Sequence, residues 1–254
     1  MLRILYSDLR RTLVNRLFIG CLSTNIAYQV GTAVLLKMIM WFAFKDNITG
    51  EDISFVYSSI GIFLVTVSTL IIVSDFSEGT MRNKLISGAK RSDVFISTIF
   101  TSSFMGMAQA ATAFVTESIL RFFLGGELIS YTIPELADFW IILTLASVSV
   151  AVFSTSMIMM IGGKKIAYFV GLLIAFAFKI ISMEVTDKLY PDSGNVTLTG
   201  FKLAIYTFYD RFVPYAYFSI RPHWDTGSYI LGCVGLMAIS TIIGLLVFNK
   251  KELQ

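Results

Sequence analysis

Three ionisable residues interrupt long apolar runs of the sequence: Lys37, Glu117 and Lys179. A charge at the middle of a membrane helix costs about 2.5–3.5 kcal/mol on insertion scales, so each needs a partner. Glu117 could pair with Lys37 or Lys179 across helices, and the three residues would then form a charge cluster in the outer leaflet. The alternative is local: Glu117 pairs with Arg121 one helical turn away, and Lys179 extends toward the membrane surface.

Residues of the kinds that carry catalysis or bind metals are scarce. The chain has one histidine and two cysteines, too few ligands for a structural zinc site or a disulfide framework. The Walker pattern G-x-x-x-x-G-K-[ST], whose loop holds the phosphates of ATP, does not occur. We therefore expect a non-catalytic chain that binds no metal, cofactor or nucleic acid and does not hydrolyse ATP by itself.

The composition indicates that these charges are held by membrane-spanning helices. Of the 254 residues, 56% are hydrophobic and 15% charged, and the mean hydropathy is +0.75. A soluble domain is typically about 25% charged and 45–50% apolar. Because apolar runs of about 20 residues recur, the sequence predicts an all-α integral membrane protein with one domain, residues 1–254. Six spans are predicted, at residues 17–44, 53–74, 93–124, 137–161, 165–183 and 227–248.

The distribution of basic residues predicts the orientation of the chain. If the N-terminus lies inside, the inner segments hold twelve basic residues and the outer segments hold six. The positive-inside rule then places both termini in the cytoplasm. The membrane that the chain spans would be the plasma (inner) membrane. Residues 1–16 carry leucines at helical spacing, which favours an amphipathic helix at the membrane surface. The alternative is an extension of the first span.

Two further patterns concern contacts between helices. Small residues recur every four positions on the third and fourth spans: Ser102, Gly106 and Ala110, and Ser147, Ala151 and Thr155. Such faces allow close packing in lipid, either within one subunit or between subunits. Asn25 and Gln29 lie one turn apart on the first span. They could line a polar face or bond to a neighbouring helix.

The polar inner segment, residues 75–92, predicts a short amphipathic helix parallel to the membrane. Asp75 or Ser77 could cap its N-terminus, and Gly88 suits its C-terminal end. The pattern turns three apolar residues toward lipid or a partner: Met81, Leu85 and Ile86. Three residues would face the cytosol: Arg82, Asn83 and Lys84.

This segment reads acidic-x-x-Glu-Gly-Thr-x-Arg-Asn-Lys-Leu, followed by Ser-Gly and an arginine just before a long span. It resembles the permeases of the ABC type-2 exporter family, in which this stretch is the coupling helix that docks in a groove of a separate ATPase subunit. The resemblance implies an ATPase-coupling role for eight residues: Glu78, Gly79, Thr80, Arg82, Asn83, Lys84, Lys90 and Arg91. Charge alone also fits a solvated turn kept basic by the positive-inside rule.

The outer segment, residues 184–226, is rich in aromatic residues and too interrupted by charges to span a membrane. It predicts two short helices that dip into the outer leaflet and break near Pro214. In the same family, re-entrant helices cap the outer end of the pathway, which implies an outer gate. The gate residues would be Tyr206, Phe208, Tyr209, Phe212, Pro214, Tyr215, Tyr217 and Phe218. An aromatic belt that anchors the chain in lipid is the alternative.

The resemblance extends to the six-span plan and therefore implies a function. The chain would be the permease subunit of an ATP-driven exporter. Two copies of the permease would form a homodimer and bind two copies of a separate ATPase subunit, which would hold the ATP and Mg. It looks most like small bacterial permeases that export amphipathic peptides and toxins, such as phenol-soluble modulins, bacteriocins and lantibiotics. The alternative is a stand-alone ion-coupled secondary transporter that uses Lys37, Glu117 and Lys179. A membrane-embedded enzyme is disfavoured, because no plausible catalytic set is present.

Overall fold

The computed structural model describes residues 1–44, 48–124, 127–162, 166–191, 198–220 and 225–250. Every regular element in these ranges is helical. In chain order they are α1 (Leu2–Leu13), α2 (Arg16–Ile39) with a π-helical continuation (Met40–Phe44), α3 (Gly50–Ser54), α4 (Val56–Thr69), α5 (Ile71–Ser77), α6 (Thr80–Ile86), α7 (Arg91–Leu124), α8 (Ile133–Ile161), α9 (Ile166–Leu189), α10 (Gly200–Phe212), a 3₁₀ turn (Pro214–Tyr217) and α11 (Thr226–Lys250).

Within the described residues, six helical stretches are long and apolar enough to cross a membrane. They are Arg16–Ala43, Gly50–Ser77, Arg91–Leu124, Ile133–Ile161, Ile166–Leu189 and Thr226–Lys250. The second stretch is built from three consecutive helices, α3, α4 and α5. The predicted all-helical class and the predicted number of spans are confirmed, and the chain is a multi-pass membrane protein.

The spans differ in how much of their surface the bundle covers. In the apolar window of the second stretch 78% of the residues are buried, against 11% in the first, 17% in the fifth and 22% in the sixth. Exposed apolar surface of that extent is rare on soluble monomers. The outward faces of α2, α9 and α11 are therefore suited to lipid or to another membrane protein.

Helices α7 and α8 pack closely through the small residues that the sequence pattern singles out. A Cβ added at Gly106 would lie 2.5 Å from the backbone oxygen of Ser147, far inside van der Waals contact. Glycine is thus required where the two backbones cross. This small-residue contact lies within one subunit. It follows the rule that small residues allow the approach of helices in lipid.

A buried polar contact joins α2 to α7. The Asn25 Nδ2 atom donates to the backbone oxygen of Gln109 at 3.0 Å and to its Oε1 at 3.1 Å, and Gln29 Nε2 donates to Asn25 Oδ1 at 2.9 Å. All three side chains are at most 1% exposed. Asn25 and Gln29 thus bond to a neighbouring helix. Interhelical hydrogen bonds of this kind contribute about 0.6–2 kcal/mol each in membranes.

Candidate functional site

The polar inner segment, residues 75–92, contains a short helix, α6, between two sharp turns. Gly79 precedes it with φ 71° and Gly88 follows it with φ 92°. Both values lie in the left-handed region, which glycine adopts without steric cost. Gly88 therefore ends the segment as predicted. The predicted N-cap is wrong, because Asp75 and Ser77 belong to α5 and the residue before α6 is Gly79.

A polar network explains why Asp75 is not free to cap α6. Asp75 forms an ion pair with Arg11 of α1. Also on α1, Asp8 receives the Lys84 ammonium at 2.5 Å on Oδ1 and the Ser97 hydroxyl at 3.0 Å on Oδ2. The side chains of Asp8 and Asp75 are only 8% and 10% exposed. One largely buried ion pair, one ion pair that is half-exposed on the arginine side, and one hydrogen bond thus fasten α1 to α5, α6 and α7.

Lys84 points into this network and does not face the cytosol, contrary to the prediction. Its side chain is 14% exposed, since the buried Asp8 carboxylate needs a counter-charge. Met81 is also turned inward, at 1% exposed, and packs with Leu70 and Phe95. The inward face of α6 thus packs against the bundle through the Lys84 ion pair and through the apolar side chains of Met81 and Leu85.

The opposite side of α6 and its flanks is open. We call the exposed residues there the α6 outer face: Glu78, Arg82, Asn83, Ile86 and Lys90. Ile86 is 72% exposed and lies among polar and charged neighbours. A small apolar group ringed by both signs of charge is a surface that a folded partner can bind.

The other motif residues have mixed surroundings. Gly79 and Thr80 are half-buried. Arg91 donates through Nη1 to the backbone oxygen of Asn249 at 3.4 Å, which joins the start of α7 to the end of α11. The N-terminal amino group lies 3.7 Å from the Asp93 carboxylate. Of the eight predicted coupling residues, four are therefore open to a partner: Glu78, Arg82, Asn83 and Lys90.

At the opposite end of the bundle, here called the outer end, Glu117 is 1% exposed. It accepts from the Ser54 hydroxyl at 2.5 Å and lies 3.7 Å from Arg121 Nη1. Lys37 Nζ donates instead to the backbone oxygen of Leu124 at 3.4 Å. Glu117 thus has the local partner, Arg121, and a hydroxyl partner on the second span.

Lys179 does not extend toward the membrane surface. Its ammonium donates to the backbone oxygens of Ser58 at 3.1 Å and Phe218 at 2.8 Å. It therefore links α9 to the start of α4 and to the segment that follows the 3₁₀ turn. The hydrogen bonds of the three residues reach different segments: that of Lys37 the end of α7, that of Glu117 α3, and those of Lys179 both α4 and the segment after the 3₁₀ turn.

The predicted outer gate divides into two parts at the predicted break. Tyr206, Phe208, Tyr209 and Phe212 lie on α10, whereas Pro214, Tyr215, Tyr217 and Phe218 are buried in the bundle. The Tyr215 ring stacks on Phe178 at 4.6 Å between centroids, and the Tyr217 ring lies 4.5 Å from Tyr229. The buried part, residues 214–218, is here called the aromatic plug.

Helix α10 lies outside the plug and is more exposed. Phe208 is 61% exposed, and Tyr206 donates its hydroxyl to Glu184 Oε1 at 3.1 Å. That bond to a carboxylate raises the pKa of Tyr206. The bond ties α10 back to α9.

Sequence reasoning missed Glu51, one of two acidic residues in the first turn of α3. Its Oε1 accepts from the backbone amides of Ile129 at 2.6 Å and Tyr131 at 2.9 Å, and from that of Ser130. The carboxylate thus fixes the connection between α7 and α8. Burial raises the pKa of Tyr131, and the carboxylates of Glu51 and Glu135 raise it further. The string Thr49-Gly-Glu-Asp signals a helix start but gives no hint of this contact.

Sequence reasoning also missed Asp8. The only available signal was an acidic residue in an otherwise basic amphipathic helix.

The exposed, mixed apolar and charged residues of the α6 outer face are suited to contact with another protein. Among the residues that the structure describes, no three histidine, cysteine, aspartate or glutamate side chains come together as metal ligands. No family model matches the sequence, and a search of curated proteins found no match.

Proposed function

We propose that this chain is the membrane permease subunit of an ATP-driven exporter of the ABC type-2 kind. The observation that carries the proposal is the α6 outer face. A short helix after the second span presents Arg82 and Asn83 outward, and Glu78 is exposed just before it. On its inward side Lys84 pairs with Asp8 of α1, and α1 is in turn fastened to α5 and α7. A separate ATPase subunit would bind this face.

The polar network supports the transmission of movement from that face. Breaking one side of a buried ion pair costs about 3–5 kcal/mol. A displacement of α6 would therefore carry α1 with it through the Lys84–Asp8 contact. It would reach α7 through the bond between Asp8 and Ser97. Since α7 crosses the bundle, movement at the α6 outer face would change the packing of the spans.

The proposed complex has two permease copies and two ATPase copies, with ATP and Mg bound by the ATPase. The exposed apolar faces of α2, α9 and α11 would contact lipid and the second permease copy. The cytoplasm would contain both termini and α6. The proposed cargo is an amphipathic or membrane-partitioning peptide that moves from the cytoplasm or inner membrane to the outside. This class of cargo is supported by the resemblance to the exporter family and by the aromatic residues of α10 and the aromatic plug at the outer end of the bundle.

The test is a tagged purification from native membranes in mild detergent, with identification of the co-purifying subunits and an ATPase assay. The test variant changes Glu78→Lys, Arg82→Glu and Asn83→Ala together. Lys84 is left intact, because its substitution would also break the contact with Asp8. The matched control is Arg10→Glu, an exposed basic residue of α1.

We expect the unaltered chain and the control to co-purify with a Walker-motif ATPase in equal amounts and to show ATP hydrolysis stimulated by amphipathic peptides. The triple variant should lose both the ATPase and the activity while it remains folded by circular dichroism. Purification of the unaltered chain without an ATPase would contradict the proposal. So would a triple variant that retains the ATPase in full.

The second candidate, an ion-coupled secondary transporter, would use Lys37, Glu117 and Lys179. The burial of Glu117 next to Arg121 is the observation in its favour, since buried carboxylates serve as ion-coupling groups in transporters. Transport into vesicles that contain this chain alone, driven by a proton or sodium gradient and abolished by Glu117→Gln, would establish it in place of the exporter.

A further inference from the structure

An apolar groove follows the contact between α2 and α7 on the exposed surface of the bundle, away from the α6 outer face. It consists of two pockets that follow one another along the two helices, an inner pocket of about 500 Å³ and an outer pocket of about 280 Å³, here together called the groove. On α2 the groove is lined by residues of successive turns: Ile26, Val30, Val34, Lys37 and Trp41. On α7 it is lined by Val115, Ile119 and Leu124, among others.

Lys37 is the charged residue among those that line the two parts of the groove. Its ammonium makes a bond of 3.4 Å to the backbone oxygen of Leu124. An ammonium group has three donors, so capacity remains for an anion. The buried Glu117 carboxylate is turned toward Ser54 and Arg121. The groove is therefore lined mainly by apolar side chains and carries one positive charge, that of Lys37, in its outer part.

We propose that this groove binds an anionic glycerophospholipid, with one acyl chain along α2 and α7 and the phosphate at Lys37. The distance from Ile26 to Lys37 along α2 is about 16 Å at 1.5 Å per residue. One leaflet of the hydrocarbon core is about 15 Å thick, half of about 30 Å. A single acyl chain therefore matches the length of the groove.

The charges favour a lipid over a second copy of the chain. In a symmetric dimer the same surface meets itself. Helix α2 contains no acidic residue, and Glu117 of α7 is 1% exposed. A symmetric contact through this groove would bury Lys37 without a carboxylate partner, at a cost of several kcal/mol. A lipid phosphate supplies the missing anion, and the tail fills the apolar part.

Trp41, which lines the outer part of the groove and is 66% exposed, provides a local probe. The experiment reconstitutes the full chain into vesicles that contain either brominated phosphatidylglycerol or brominated phosphatidylcholine at equal mole fraction. Bromine quenches tryptophan fluorescence on contact. The emission of Trp41 is obtained by subtracting the spectrum of Trp41→Phe, which leaves the other two tryptophans unchanged.

We expect phosphatidylglycerol to associate about fivefold more strongly than phosphatidylcholine, the ratio typical for one lysine near an anionic surface. Lys37→Met should reduce this ratio to about one. The control Lys202→Met, an exposed lysine on α10, should leave the ratio unchanged. Val30→Phe fills the groove and keeps the charge, so it should lower quenching by both lipids. It serves as the second test if Lys37→Met fails to fold.

Equal quenching by the two lipids in the unaltered chain would overturn the proposal, because it indicates ordinary bilayer contact. Quenching by neither lipid would also overturn it, and would show that protein or cargo covers the groove. The lipid site is independent of the proposed function. Loss of ATPase binding in the purification and loss of lipid preference in the vesicles are separate readouts.

Discussion

The Lys84 ammonium lies 2.5 Å from the Asp8 carboxylate and thereby joins α6 to α1, although the two residues are 76 positions apart in the chain. The side chains of the two residues are 14% and 8% exposed. The Ser97 hydroxyl binds the second oxygen of the same carboxylate. Because Asp8 therefore contacts both α6 and α7, the N-terminal helix is an integral part of the bundle.

Substitution of Lys84 by methionine should destabilise the protein by about 3–5 kcal/mol, because it leaves the Asp8 carboxylate buried without its counter-charge. The double variant with Asp8→Asn should lose less than the sum of the two single variants, since the pair is removed together. Thermal unfolding in detergent, followed by circular dichroism, measures these losses. Arg82→Met, on the exposed side of the same helix, should change stability by less than about 0.5 kcal/mol. Strictly additive losses would show that the two charges do not stabilise each other.

The crossing of α7 and α8 should tolerate no side chain at Gly106. Gly106→Ala places a methyl group 2.5 Å from the backbone oxygen of Ser147, so we expect a loss of about 1–3 kcal/mol from overpacking. At Gly31 of α2 no atom lies within 4 Å of the added Cβ. Gly31→Ala should leave stability unchanged or raise it slightly, because alanine is the better helix former. The same thermal unfolding assay compares the two, and equal effects would contradict the close crossing.

The class of fold and the number of spans could be predicted because lipid imposes both. A helix needs about 20 apolar residues to cross the hydrocarbon core. Apart from a closed β-barrel, only a helix pairs all of its backbone N–H and C=O groups internally, as hydrocarbon requires. The small-residue spacing at Gly106 was informative for the same reason, since close approach is the main route to helix packing in lipid. These features are local properties of the sequence and require no knowledge of which helices are neighbours.

The partners of the charged residues could not be predicted, because they depend on the tertiary fold. Periodicity predicts that Lys84 lies on the solvated side of α6, yet a helix of seven residues gives a weak periodic signal. Lys179 finds its acceptors 121 and 39 residues away. Glu51 binds backbone amides, which carry no residue-specific signal in a sequence.

Removal of the Glu51 carboxylate should free the connection between α7 and α8. Glu51→Ala leaves the amides of residues 129–131 without their acceptor, and we expect a loss of about 1–3 kcal/mol. Those amides should exchange with deuterium faster than in the unaltered chain, as measured by mass spectrometry of the peptide that contains them. Asp187→Ala removes an exposed carboxylate of α9 and should leave their exchange unchanged. Unaltered exchange in Glu51→Ala would mean that the carboxylate does not hold the connection.

The aromatic plug should depend on Lys179. Its ammonium supplies the donor for the Phe218 backbone oxygen at 2.8 Å and for the Ser58 backbone oxygen at 3.1 Å. Methionine has similar length but no donor, so Lys179→Met removes both bonds and takes from the Phe218 oxygen the donor that holds it, at a cost of about 1–3 kcal/mol.

The stacked Phe178 and Tyr215 rings should hold most of the plug in place in this variant. The expected result is therefore local opening and not global unfolding: deuterium exchange of residues 213–219 should rise by about tenfold or more, the factor that corresponds to 1.4 kcal/mol. Exchange in α7 and α8 should remain as before. Lys188→Met, an exposed lysine near the end of the same helix, is the matched control and should leave the plug protected. If exchange rises equally throughout the chain, Lys179 stabilises the fold as a whole; if it does not rise at all, the plug is held by its aromatic contacts alone.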